Sequence, residues 1–397
     1  NIDDDVTFFA SRLRDAGYNL AHVGKWHIGD FREENNTNLP SSYGYEGEHY
    51  PGYGFPSDHP HYLEYLKELG LHGFNVTDVI ESASPHSSQK YAGIQEGGKE
   101  ASVPSYLANQ TIDYLHRYAE QDRPFFISCN FWGPHTPYFL PREVYGRYEE
   151  IDIPVWPNFR AEMRDKPDAL RRWGRLWGVD AMDEETLSRL IGHYYDYVTH
   201  IDECMGRVII ALEESGQLEE TLIVYSADHG SSVGSFGMWD KGYGLYENLV
   251  NVPMILAHPS FTPGVNDSNV SLLDLAPTFL DIAGLSADPE MSGESLLPLA
   301  GGEEASMHDE PQAVEHFGHI VPFAQRMVRD ERFKYIFNTM DEDEFYDLET
   351  DPHEMHNLFG SGQHRDEIRR LQDHLEGWIE ETNDRLGRRW FRTSPRP

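Results

Sequence analysis

The sequence predicts an α/β fold: an open, mostly parallel sheet with helices on both faces, followed by a smaller α+β subdomain with a short antiparallel sheet. Three observations carry this. Apolar runs of strand length alternate with stretches of helical period through residues 18–284. The runs end in residues that bear chemistry, at 25–27, 135 and 228–229, as expected where ligands sit beyond the carboxyl ends of strands. After about residue 292 the texture changes to four short strand patterns and a closing helix. The division falls near residue 300, with a larger domain over 1–300 and a C-terminal subdomain over 301–397.

Residues 3–17 read as an amphipathic helix. Val6, Phe9, Ala10, Leu13 and Ala16 keep helical spacing, Asp3, Asp4 and Asp5 supply the N-terminal acids, and Gly17 ends it. A short strand over 18–27 runs into Gly24-Lys25-Trp26-His27. Lys25 and His27 stand two apart, so on extended backbone both point to the same side. Read alone, the pair fits a surface lysine and a hydrogen-bonded histidine equally well. Residues 31–102 are rich in Gly, Pro, Ser, Asn, Tyr and His, and read as a long, mostly irregular insertion with one helical piece over 61–69. Such segments tend to shape substrate entrances. A helix over 104–119 has Pro104 in its first turn and a stripe of Leu107, Thr111, Leu115 and Tyr118. The strand 124–131 follows and ends in Trp132-Gly133-Pro134-His135-Thr136-Pro137-Tyr138, where two prolines pin a loop carrying His135.

Residues 144–183 read as irregular, with Arg171, Arg172 and Arg175 better explained by ion pairing with nearby acids than by steering of an anion. The longest helix spans 183–215, with a 3.6-residue period from Leu187 to Leu212; His193 and His200 on it read as ordinary polar positions. The apolar run 222–225 reads as a strand buried on both faces, as in a parallel sheet. It delivers Asp228 and His229 to a sheet edge, with Gly230 for a sharp turn. A glycine-rich loop then returns a cation, Lys241. A strand at 252–257 and a helix at 272–284 with an internal proline complete this part. The C-terminal strand patterns lie at 313–316, 325–328, 333–337 and 344–347, ahead of a helix over 366–384. His316, His319, Gln325 and Arg326 in this part are equally readable as pocket or surface residues.

The totals exclude several classes. Sixty-eight acidic residues against 32 basic ones give a net charge of −36, which argues against nucleic acid and acidic membranes as partners. Acidic excess with only seven lysines among 397 residues suits a halophilic surface, whose self-repulsion salt screens. No apolar run has transmembrane length. Two cysteines, Cys129 and Cys204, make no disulfide framework and read as small buried apolar residues.

The segments 17–29, 130–138 and 228–253, with 271–284, 293–297 and 345–358, together resemble the type I sulfatases of the alkaline phosphatase superfamily. The resemblance implies an alkaline phosphatase-like fold and hydrolysis of sulfate esters, with a sulfated small molecule or glycan as substrate. It implies a divalent cation, usually Ca2+, and a formylglycine nucleophile made from a cysteine or serine in a C/S-x-P/A-x-R segment. Carried onto this chain, Asp228 is a metal ligand and His229 fills the neighbouring metal position. Lys25 and Lys241 bind sulfate oxygens. His135, tuned near neutrality, protonates the leaving group, and His27 lies at the nucleophile. An imidazole is a poor ligand for calcium on grounds of hardness, so His229 alternatively positions Asp228 or the substrate.

The sequence departs from the family at its front. No C/S-x-P/A-x-R segment and no apolar strand ending in paired aspartates is present. A fragment inactive alone is therefore expected, with an apolar slot where that strand lies and an incomplete metal position at Asp228. Ser231 and Phe236 replace a Glu and a His common in the family, which bears on fine substrate contacts. Two alternatives stand beside the sulfatase reading: a phosphodiesterase or phosphonate monoester hydrolase of the same superfamily, and an inactive homologue that binds sulfated ligands.

Overall fold

The computed structural model describes residues 6–28, 38–51, 56–85, 87–148, 151–302, 307–308, 310–318 and 322–396. Its strands are β1 (Asn19–Trp26), β2 (His49–Pro51), β3 (Val76–Glu81), β4 (Lys90–Gln95), β5 (Phe125–Asn130), β6 (Tyr138–Pro141), β7 (Ile223–Ser226), β8 (Met254–Ala257), β9 (Gln312–Phe317), β10 (Ala324–Arg329), β11 (Phe333–Asn338) and β12 (Glu344–Asp347). Its α-helices are α1 (Phe9–Asp15), α2 (Pro60–Glu68), α3 (Val103–Ala119), α4 (Asp168–Trp177), α5 (Glu184–Glu214), α6 (Glu247–Val250), α7 (Leu275–Ile282), α8 (Leu297–Ala300), α9 (Arg365–Glu381) and α10 (Arg385–Trp390).

The apolar run of β1 is buried along its length and centres a parallel sheet of order β2-β1-β5. The β1–β5 register runs from Asn19 opposite Phe125 to Gly24 opposite Asn130. Gly24 has φ +98°, and an added Cβ would lie 2.1 Å from the Asn130 carbonyl oxygen, so only glycine lets the two strands end this close together. Ser102 caps α3 by accepting from the Ser105 N–H, and Asp183 caps α5 by accepting from the Thr186 N–H. The two helices pack Leu115, Ala211 and Leu212 against Phe125 and Ile127 of β5 and Ile223 of β7.

The loop after β7 is the centre of the largest core. Val233, Phe236, Met238, Trp239, Tyr243, Leu245 and Tyr246 are buried among Tyr91, Tyr138, Trp173, Trp177, Met327, Ile336 and Tyr346. The C-terminal strands form an antiparallel sheet of order β12-β11-β10-β9, as the short strand patterns predict. Its other face is covered by Ile368, Leu371, Leu375 and Ile379 of α9. Lys334 on β11 is fully buried, with Nζ 2.6 Å from Glu247 of α6 and 2.8 Å from Glu354.

Several expectations are corrected. β7 pairs antiparallel with β8 in a two-stranded sheet and is half-buried, because its other edge has no strand partner among the described residues. The insertion 31–102 carries more than the one helical piece expected: β3 and β4 join β6 in a second sheet. The stretch 144–183 is not wholly irregular but contains α4, whose Leu170, Trp173 and Trp177 face the core; Arg171 and Arg172 pair with Asp168, as expected. His193 and His200 are buried, and His200 Nε2 meets the Ser102 hydroxyl at 2.7 Å. Gln325 and Arg326 are buried structural groups, Arg326 donating to Asp384 at 2.8 Å. The first helix begins at Phe9, and the N-terminal acids Asp3, Asp4 and Asp5 lie outside the described residues, as do Gly29 and His319. Among the described residues no helix is long and apolar enough to cross a membrane.

Candidate functional site

The six residues singled out in the sequence come together where β1, β5 and β7 end. Lys25, the penultimate residue of β1, is buried and reaches Asp228 just past β7, with Nζ 3.1 Å from Oδ2. Its ammonium also stands 5.4 Å from the ring centre of Trp132. Asn130 at the end of β5 donates from Nδ2 to the Lys25 carbonyl at 3.2 Å, fixing that backbone. The Asp228 carboxylate keeps 61% of its surface open, so it is available to a ligand. Desolvation opposes its ionisation, but His229, Lys25 and Lys241 outweigh it and hold the carboxyl below its ordinary range.

His229 Nδ1 lies 2.7 Å from the Gly230 carbonyl. A carbonyl only accepts, so Nδ1 carries the proton and Nε2 offers a lone pair. That Nε2 is buried, lacks a hydrogen-bond partner among the described residues and sits 3.7 Å from Asp228 Oδ2. Gly230 serves the turn through space rather than through φ: its φ is outside the left-handed region, and an added Cβ would lie 2.0 Å from the Asn248 carbonyl oxygen.

His135 and Lys241 form the opposite wall. His135 Nδ1 donates to the Thr136 carbonyl at 2.7 Å, leaving Nε2 to accept from the Lys241 ammonium at 2.5 Å. The rings of His135 and His229 are 6.4 Å apart. Burial is the main influence on His135, and with Lys241 and Lys25 it outweighs Asp240 and pushes the imidazole pKa down to about 4. A histidine tuned near neutrality is thus not what stands here: His135 is neutral at pH 7, and the proton is held by its neighbour Lys241. Burial also lowers the pKa of Lys241 itself, against the pull of Asp240. His27 is lowered by desolvation and then by Lys25 and Lys241, which places it in the same cationic field.

Asp240 is a member of this cluster that the sequence reading did not single out. It is buried, and its Oδ2 lies 3.7 Å from both His135 Nε2 and Lys241 Nζ. Its only sequence signal is adjacency to Lys241. Val233, Phe236 and Asp240 all have φ between +39° and +57°, a conformation that costs free energy and that the packed loop enforces.

Asp228 and His229 fit one edge of a divalent-cation site. They offer a carboxylate oxygen and an orphaned imidazole nitrogen, whereas calcium takes six to eight oxygens. Among the described residues no third His, Cys, Asp or Glu joins them within ligand distance.

The sulfatase family profile matches residues 1–285, and the C-terminal profile of N-sulphoglucosamine sulphohydrolase matches residues 234–381. The chain is 28% identical over 369 residues to a choline-sulfatase of Rhizobium meliloti, covering 89% of this chain and 67% of that protein. It is 27% identical over 374 residues to an arylsulfatase of Clostridium perfringens, covering 90% and 75%. The structure superposes on a phosphonate monoester hydrolase from Silicibacter pomeroyi with TM-score 0.78 and 22% identity, over 97% of this chain and 82% of that one. The alkaline phosphatase-like architecture expected from the sequence is the one observed. With its family profile spanning residues 1–285 of 397, this chain belongs to the sulfatase family.

Proposed function

We propose that the chain binds the sulfate group of a sulfated small molecule or glycan and supplies the charge-stabilising and proton-carrying half of a sulfate ester hydrolase. The observation that carries this is the convergence of Lys25, His27, His135, Asp228, His229 and Lys241 from three separate strand ends. Lys25 and Lys241 offer two ammonium groups to sulfate oxygens, held in place by Asp228 and by Asp240 before substrate arrives. Lys241 and His135 already share one hydrogen bond, so a proton passed from Nζ to Nε2 is positioned for transfer to a leaving alkoxide. His27 takes the side of the attacking group. Asp228 and His229 would hold the divalent cation, which when bound polarises the ester oxygens.

The sequence holds no C/S-x-P/A-x-R segment from which a formylglycine nucleophile could form, so this reading assigns to its residues only charge stabilisation and proton transfer. Residues 1–300 are the catalytic unit in this reading and 301–397 its C-terminal subdomain. One observation leaves room for a further strand between β5 and β7. Both strands pack on α3 and α5, and each keeps one edge without a strand partner among the described residues.

The test uses the chain with its start verified by intact mass. Saturable binding of inorganic sulfate, lost in Lys25→Ala and Lys241→Ala, is expected, together with no turnover of an aryl sulfate. Turnover would remove the nucleophile claim, and sulfate binding untouched by both substitutions would remove the assignment of the lysines. Phosphonate monoester hydrolysis is the second reading, favoured by the structural likeness. Tighter competition by a phenylphosphonate ester than by an aryl sulfate would favour it.

A further inference from the structure

A second group of metal-type donors stands on the other side of β1. Glu48, His59 and His61 each present one ligand atom, and the three atoms lie within 4.8 Å of one another. His61 Nδ1 is 2.5 Å from Glu48 Oε1, and the two imidazole centres are 5.3 Å apart. The other carboxylate oxygen of Glu48 accepts from the hydroxyl of Tyr106, a buried residue of α3, at 2.7 Å.

These donors are mounted on fixed backbone. The Glu48 carbonyl accepts from the Gly24 N–H at 3.0 Å, which ties it to β1 beside Lys25. His59 is the N-cap residue of α2 and His61 the second residue of that helix, separated by Pro60, whose ring sets φ between them. The next residue, Tyr62, is fully buried and donates to the Ala101 carbonyl.

We propose that Glu48, His59 and His61 bind one zinc-class divalent cation, which fastens the start of α2 to the β2 edge of the sheet. Two imidazole nitrogens and one carboxylate oxygen are the donor set of a tetrahedral zinc ion with its fourth position open to water. The same set suits calcium or magnesium poorly, since both prefer oxygen throughout. Donors around tetrahedral zinc, with bonds of about 2.0–2.2 Å, stand roughly 3.3 Å apart. The Glu48–His61 pair opens by under about 1 Å to reach that spacing, and no other pair closes by more than about 1.5 Å. Tyr106 is the outer partner that orients the carboxylate, as such hydroxyl and carboxylate contacts do around known metal ligands. The site is chemically distinct from the one at Asp228, where the substrate-side cation belongs.

The experiment titrates the metal-stripped chain with Co2+ and follows its visible d–d bands. One equivalent is expected to give the intense bands of a low-coordinate site. Zn2+ displaces the cobalt, excess Ca2+ does not, and Asp228→Asn with His229→Ala leaves the bands in place. His61→Ala, at a side chain 65% exposed and so without consequence for folding, abolishes them, as does Glu48→Gln. Tyr106→Phe weakens cobalt affinity about 10-fold. No bands, bands that persist in both His61→Ala and Glu48→Gln, or bands lost in the Asp228/His229 variant would overturn the assignment.

Discussion

The ammonium of Lys241 lies 2.5 Å from Nε2 of His135, and one carboxylate oxygen of Asp240 stands 3.7 Å from each. The three groups act as one unit with a single shared proton on the cation side. At pH 7 the His135 imidazole is expected as the neutral Nδ1–H tautomer in a nitrogen-detected NMR titration. Lys241→Met removes a cation and leaves Asp240 unopposed, so the His135 pKa rises from about 4 toward 6.5. Asp240→Asn moves it the other way. A His135 titration indifferent to both substitutions contradicts the coupling. In an enzyme with its nucleophile in place, loss of Lys241 is expected to cut kcat by about 100- to 1000-fold.

Acid sensitivity follows from four histidines. Burial drives the pKa of His22, His135, His193 and His200 down to about 4, with lesser contributions from neighbouring charges. Between pH 6.5 and 4 the unfolded chain binds protons that the folded chain refuses, so stability falls as pH falls through that window. The loss is on the order of 1–3 kcal/mol for each fully buried imidazole. Urea midpoints measured from pH 7.5 to 4.5 should decline, and His200→Gln should flatten the decline. A midpoint constant down to pH 5 is the contrary result.

Lys334 joins the C-terminal sheet to α6. Replacing it with alanine leaves Glu354, 2% exposed, without its main cation. The expected cost is about 3–5 kcal/mol by denaturant unfolding. Adding Glu354→Gln to Lys334→Met should recover part of it. A single-mutant cost below about 1 kcal/mol would show that solvent reaches the pair.

The exposed apolar side chains of α5 and β8 give a prediction in solution. Ile210 and Ile255 are more than half exposed. The chain is expected to bind an apolar dye and to self-associate with rising concentration. Ile210→Lys with Ile255→Lys should reduce both, at a stability change within about 0.5 kcal/mol each. Dye binding unchanged by the pair would place the apolar surface elsewhere.

The charge of −36 carries the halophilic reading. At 1 M salt the screening length falls to about 3 Å, which removes most self-repulsion. The urea midpoint should rise between low and molar sodium chloride. Equal midpoints would sink the reading.

How much the sequence disclosed depended on whether a signal was local. β1, α3 and α5 were legible because burial, period and caps coincide in one stretch, as with Ser102 and Asp183 at the helix starts. The segment 222–225 was legible as a strand but not in its direction, since a parallel strand and an antiparallel one with a free edge carry the same apolar run. The sheet of β3, β4 and β6 was hidden because β4 offers Gly93 and Gln95 where a strand pattern would show apolar residues. Lys25, His27, His135, Asp228, His229 and Lys241 were found as strand-end chemistry. Asp240 was not, because its role exists only after the loop folds back beside His135. Glu48, His59 and His61 were likewise invisible, because Glu48 stands beside β2 and the two histidines at the start of α2, with no motif spacing to join them.

The loop between β7 and α6 has one more implication. Its side chains from Val233 to Tyr246 are the middle of the main core, and the same few residues carry Asp240 and Lys241. That segment therefore has little freedom to be remodelled without disturbing the core. A lesion in the loop removes core packing and the Asp240–Lys241 pair together. Loss of ligand binding on heating should then coincide with global melting, so that no folded but incompetent population accumulates.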